Sequence, residues 1–146
     1  MRVQNGALAA NANIAGSYKV APPPEPVTAT GLINEIGRRT VDLVQFAYPS
    51  DSGTIQTPNN NFAVSAIQTD TLAISVAFAF SDAPDASIAE IGIFSTPTFI
   101  AGLPPGQRYF APAQMTDPGT LVSLEYSMPV SRAPNTRPYY MHLLTL

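Results

Sequence analysis

The chain offers few side chains able to do chemistry, so each can be weighed singly. His142 is the only histidine among 146 residues. As a general base it would need a nucleophile in hydrogen-bond reach and a carboxylate to orient its ring. No G-x-S-x-G elbow supplies that nucleophile. His142 also sits inside an apolar run, Y-Y-M-H-L-L-T-L, where a strand histidine with a hydrogen-bond partner is the simpler reading. There is no cysteine, which excludes disulfides, thiol catalysis and cysteine-ligated zinc.

The carboxylates are as sparse. Asp82 and Asp85 share the loop S-D-A-P-D-A-S. Calcium takes about six to eight oxygen ligands, and turn chemistry alone accounts for two loop aspartates. Glu35, Glu90 and Glu125 could in principle form a glycosidase pair, which needs two carboxylates at a set separation in a groove. Such grooves usually carry aromatic platforms, and the chain has no tryptophan. Arg38, Arg39, Arg108, Arg132 and Arg137 are available to pair these carboxylates structurally. Tyr139 and Tyr140 are adjacent in a strand pattern, so one of them faces outward and could stack on a glycan. No phosphate loop, dinucleotide fingerprint or metal-ligand spacing occurs. Neither cofactor nor metal is expected, and the balance favours a protein that holds something together over one that converts it.

Composition points the same way. Only 12% of residues are charged, the formal net charge is −3, and Lys19 is the sole lysine beside arginines. Free-standing domains usually carry about 25% charged residues. Arginine is the basic residue suited to interfaces, so a subunit of an assembly is favoured. With no basic run, a nucleic-acid surface is not expected. No stretch approaches the roughly 20 apolar residues that span a bilayer, so neither is a membrane.

The elements that must position these residues read as strands. T-L-A-I-S-V-A-F-A-F alternates Leu72, Ile74, Val76, Phe78 and Phe80 with small residues, a period of two. Its small face suits close approach of another layer or subunit, or solvent. T-L-V-S-L-E-Y-S-M-P-V places Val122, Leu124, Tyr126, Met128 and Val130 on one face. Further strands are expected at 40–48, 54–56, 62–67 and along the C-terminal run, and a short helical turn at 32–38. The 15 prolines gather at strand ends and turns, and no helical period persists. The fold expected is all-β: an antiparallel β-sandwich, immunoglobulin-like or jelly-roll-like, over residues 31–146. Residues 1–30, ending in A-P-P-P-E-P, read as an extended N-terminal arm with a stiff proline-rich spacer.

Within this frame S-I-A-E-I-G-I-F-S-T-P is unusual. A buried strand uses neither an unpaired glutamate nor a glycine, unless another backbone comes close. Glu90 and Gly92 share a face with Ile88 and Phe94. A half-buried carboxylate there can accept from an arginine or from loop N–H groups. The expectation is a clamp by Glu90 on the long loop 98–115, which holds Phe99, Tyr109 and Phe110 as burial anchors.

The run Glu90-Ile91-Gly92-Ile93-Phe94 resembles a signature of tailed-bacteriophage tail and collar-fibre proteins. There a strand I-x-E-[IV]-G-[LIV]-F leads into a turn and further strands. That family's turn usually carries D-x-D-G, where this chain has S-T-P-T. The resemblance covers residues 31–146 and implies a non-enzymatic virion subunit of the tail, baseplate or fibre region, assembled in the bacterial host cytoplasm. Its partners would be other virion proteins and copies of itself, a trimer by analogy. A capsid decoration protein and a glycan- or receptor-binding module that meets a host surface glycan are the alternatives. The structural and interface candidates are Glu90, Gly92, Phe94, Arg108, Tyr109, Phe110, Arg132 and Arg137.

Overall fold

Prolines and glycines cut the chain into short extended runs, and the backbone polar groups of such runs can be satisfied only by pairing with one another. The computed structural model describes residues 24–146 and shows that pairing throughout. The strands are β1 (Arg38–Arg39), β2 (Leu43–Pro49), β3 (Ile55–Gln56), β4 (Asn61–Ser65), β5 (Thr71–Ala77), β6 (Ser87–Ser95), β7 (Thr98–Phe99), β8 (Tyr109–Phe110), β9 (Met115–Asp117), β10 (Thr120–Ser131) and β11 (Tyr139–Thr145). Every pairing is antiparallel. The all-β antiparallel expectation holds. The N-terminal arm lies outside the described residues up to residue 23. Residues 24–28 and 30 are exposed, with a turn closed by Ala29 N–H donating to Pro26 O at 3.0 Å.

The described chain forms two compact units. One comprises residues 24–35, 85–100 and 115–133; the other comprises 36–84, 101–114 and 134–146.

The second unit holds a curled five-stranded sheet in the order β11-β5-β2-β4-β3. Register sets Ala73 between Gln45 of β2 and Leu143 of β11. Ala47, Ile55 and Ala73 are buried together, with Phe62 and Leu143 packed against them. The buried cluster lies on the small face of β5, where Thr71, Ala73 and Ser75 are all buried; on the bulky face Ile74 is buried too, between half-buried Leu72 and Val76. Small side chains on both central strands give the sheet room to curl over itself. Beside this sheet β1 pairs with β8.

The expected helical turn at 32–38 is absent. Its N–H groups at Ile33 and Asn34 bond elsewhere, and Arg38–Arg39 is a strand. For the same reason β2 starts at Leu43 rather than at residue 40: Thr40 N–H is already held by Arg108 O at 2.9 Å.

The first unit is built on the β6–β10 ribbon, with β7 paired to β9. Two irregularities interrupt the ribbon, between Leu121 and Ser123 and between Tyr126 and Val130. Pro129 lies in the second, where a residue without an N–H costs no ladder bond. The bulges break the single apolar face expected of β10. Leu121, Leu124 and Tyr126 oppose Phe94, Gly92 and Glu90, while Val122 is displaced and 44% exposed. The turn after Phe94 is closed tightly. Gly119 has φ +73°, and a side chain there would overlap the Ser95 carbonyl oxygen.

Candidate functional site

The face of the ribbon that carries Glu90, Gly92 and Phe94 is where the first unit departs from plain strand pairing. Alternation sets these three residues of β6 on one side. Register brings Tyr126, Leu124 and Leu121 of β10 beside them. Residues 32–34 lie across this face. The Glu90 carboxylate accepts Ile33 N–H at 3.1 Å to each oxygen and Asn34 N–H at 3.2 Å to Oε2. One residue earlier, Leu32 uses the space that Gly92 leaves. A Cβ at position 92 would stand 2.9 Å from Leu32 Cδ2, and 3.1 Å from both Leu121 Cδ1 and Phe94 Cε2.

These features form one device. The carboxylate satisfies two successive main-chain donors that would otherwise turn to water, and charge-assisted bonds of this kind are the stronger ones. The missing side chain at Gly92 opens a seat for a leucine methyl. Phe94 and Leu121 wall that seat. The expected clamp at Glu90 thus has loop N–H groups as its donors, but the segment held is 32–34 rather than the loop 98–115. Main-chain recognition explains why sequence reasoning missed the segment: every non-proline residue carries the same N–H, and G-L-I-N-E has no distinguishing pattern. A single apolar residue before two successive donors was the only available cue.

The other candidates stand elsewhere. Arg108, Tyr109 and Phe110 meet at the β1–β8 corner of the second unit. Arg108 Nη2 lies 2.9 Å from Asp42 Oδ1 and donates to Val41 O at 2.8 Å, while its Nε donates to Thr40 Oγ1 at 2.9 Å. Tyr109 Oη donates to Ile36 O at 3.1 Å, and Phe110 is buried. Arg137 sits over the Phe80 ring with 5.6 Å to its centroid. Arg132 is buried in the first unit, and its N–H donates to Ala86 O at 2.8 Å. A second ion pair, like Arg108–Asp42 not foreseen, joins Arg39 Nη1 and Asp82 Oδ2 at 2.6 Å with side chains 13% and 5% exposed. Asp82 also accepts Ala79 N–H at 2.7 Å, so its carboxylate is committed inside the fold.

The catalytic alternatives find little geometry. Glu125 opposes Ile91 and Tyr126 opposes Glu90, which puts the two glutamates on opposite faces of the ribbon, unable to flank one glycosidic bond. His142 stands half-buried in β11 opposite Ile74. Tyr139 is 59% exposed, and Tyr140 packs edge-on against Phe78 at 6.0 Å between centroids. Among the described residues no group of three or more histidine, aspartate or glutamate side chains is placed to hold a metal ion.

The family model described as "Baseplate wedge 3 tail fiber network component" matches residues 15–146. No curated protein matches the chain.

Proposed function

The chain belongs to the family of baseplate wedge 3 tail fiber network components, and from that premise we propose that it is a non-enzymatic subunit that works by assembly. Membership makes it a structural part of the phage virion, in the baseplate and tail-fibre network. In this reading it is assembled in the host cytoplasm. The first unit supplies the contact surface for neighbouring virion proteins and for further copies of the chain, while the sheet of the second unit is the scaffold. The interface candidates at the β1–β8 corner, with Arg132 and Arg137, set the local geometry of loops that neighbours meet.

One observation carries this reading. In the first unit no apolar residue among those described is buried; its only buried residue is Arg132. Ile100, Val122, Met128 and Val130 are exposed at 41, 44, 39 and 56%. A two-stranded ribbon is marginal by itself in water and needs a third element against it. Apolar positions that face solvent on such a ribbon fit an interface. The second unit differs in having a buried cluster of its own, Ala47, Ile55 and Ala73, though Leu43, Val44, Val64, Ile67 and Phe80 are exposed there as well.

The test is complementation of phage lacking the gene with wild-type or Met128→Asp/Val130→Asp protein, and a count of copies per particle by mass spectrometry. Both sites are exposed, so melting should be unchanged. Wild-type protein is expected in the baseplate at tens of copies or fewer, and the variant is expected to be lost from it. Full incorporation of the variant would remove the ribbon as the assembly surface. Hundreds of copies per particle would favour capsid decoration. A glycan-array signal abolished by Tyr139→Ala would favour the receptor-binding alternative.

A further inference from the structure

We propose that β11 is a further interface, on the second unit, through which two copies join edge to edge into one continuous sheet. The strand of one copy pairs antiparallel with the same strand of a second copy, and His142 of each stands opposite the other at the two-fold axis. This goes beyond the ribbon surface above and uses none of its residues.

Hydrogen-bond parity locates the open edge. β11 ends the sheet order β11-β5-β2-β4-β3, so among the described residues only β5 pairs with it. In an antiparallel pair, residues that bond to the neighbour alternate with residues whose N–H and C=O point the other way. Pro138 O accepts Phe78 N–H at 3.0 Å, and Leu146 N–H donates to Asp70 O at 2.7 Å. These contacts bracket the register from Tyr139↔Ala77 to Thr145↔Thr71, so the even positions of β11 serve β5. The N–H and C=O groups of Tyr139, Met141, Leu143 and Thr145 therefore point outward, where no strand among the described residues meets them.

Exposed sheet edges are normally blunted by short strands, charge, proline or bulges, because a bare edge is a template for another strand. The far edge of this sheet follows that rule: β3 is the two residues Ile55–Gln56, with Pro58 soon after. β11 breaks it. Its seven residues run in unbroken register with β5 and include no lysine, arginine, carboxylate or proline. Tyr139 and Met141 stand 59% and 38% exposed on it.

Symmetry and charge make a second copy the occupant. The outward residues are spaced evenly about His142, so a copy turned end for end offers each of them a donor and an acceptor. Tyr139 meets Thr145 of the second copy, and Met141 meets Leu143, with no overhang. Tyr140 then stands opposite Leu144, an aromatic–aliphatic pair of the kind that stabilises antiparallel sheets. Arg137, exposed, precedes β11, and Asp70, also exposed, lies opposite Leu146 at the other end of the strand. The two-fold brings each arginine to the end of the sheet that carries the aspartate of the second copy.

The absence of native cysteine makes the register testable in the full-length chain. Residues directly opposed in a non-hydrogen-bonded pair have Cα atoms about 4.5 Å apart, within disulfide reach, and position 142 is such a residue. His142→Cys is expected to give a covalent dimer on mild oxidation at several times the level of Met141→Cys, whose match in the second copy is residue 143. Equal or weaker linking at 142 overturns the proposal. Sedimentation of chains without cysteine gives the second test. The unmodified chain should dimerise. Met141→Pro removes an outward N–H and no bond to β5, and Met141→Lys adds an edge charge; both should be monomeric, with the denaturant melt of the lysine variant unchanged. A monomer at every concentration of the unmodified chain, or a dimer that survives both substitutions, overturns the proposal. Met128→Asp/Val130→Asp should leave the dimer intact. If that variant abolishes it, self-association belongs to the ribbon, and the edge is removed while the assembly reading stands.

Discussion

Replacing Glu90 with alanine should free the segment 32–34 while leaving the sheet of the second unit intact. The carboxylate accepts two main-chain donors, at 3.1 Å from Ile33 and 3.2 Å from Asn34. A hydrogen bond to a charged group contributes about 1.5–3 kcal/mol where water is kept away. Both donors lie on an exposed segment, so water replaces the lost acceptor, and the loss for the pair together falls to about 1–2 kcal/mol. Through the local opening equilibrium that is about 5–30-fold faster exchange. The assay is amide hydrogen exchange by NMR at Ile33 and Asn34 in wild type, Glu90→Ala and Glu90→Gln. Glutamine keeps an uncharged oxygen acceptor, so its rates should fall between the other two. Amides of Ala47 and Ala73, in the buried cluster of the other unit, serve as the internal control and should not move. Unchanged exchange at Ile33 and Asn34 in the alanine variant, with the controls also unchanged, would refute the latch.

Three further expectations concern stability. Gly92→Ala puts a methyl 2.9 Å from Leu32 Cδ2. Overpacking of about 1–3 kcal/mol is offset by about 0.4–1 kcal/mol from a less flexible unfolded chain; denaturant melts should show a loss of about 1 kcal/mol, most of it recovered by adding Leu32→Ala. Asp82→Ala leaves Arg39 facing no carboxylate in a site where the pair is 13% and 5% exposed, and should cost about 3–5 kcal/mol; a loss under about 1 kcal/mol would mean the pair is solvated in solution. Gly119→Ala meets both φ +73° and the Ser95 carbonyl oxygen, so the turn must open, and faster amide exchange should appear at Ser95 and Thr120, which pair across it.

Much of the architecture was legible because it rests on period-two alternation. T-L-A-I-S-V-A and T-L-V-S-L-E-Y announced β5 and β10. Which side of β5 faces the core was not legible. The alternation left the small face open to another layer, a subunit or solvent, and in the curled sheet Ala73 of that face lies between Gln45 and Leu143. The bulges of β10 were hidden because alternation cannot register an extra residue; Pro129 was the one local sign. Glu90 and Gly92 stood out as misfits in an apolar strand, and misfits of this kind tend to mark special positions. Their partner segment, 57 residues earlier for Ile33, left no mark, because a backbone N–H has no sequence signature. Arg39 and Asp82, 43 residues apart, show the same limit for long-range pairing.

The central claim is that this chain acts through contact with neighbouring subunits, made by the ribbon unit. Electron cryo-microscopy of the intact baseplate tests it most directly. Density for the chain should lie in the tail-fibre network, with Val122, Met128 and Val130 covered by a neighbouring subunit. A chain found there with that ribbon bare to solvent, or missing from the particle altogether, would contradict it.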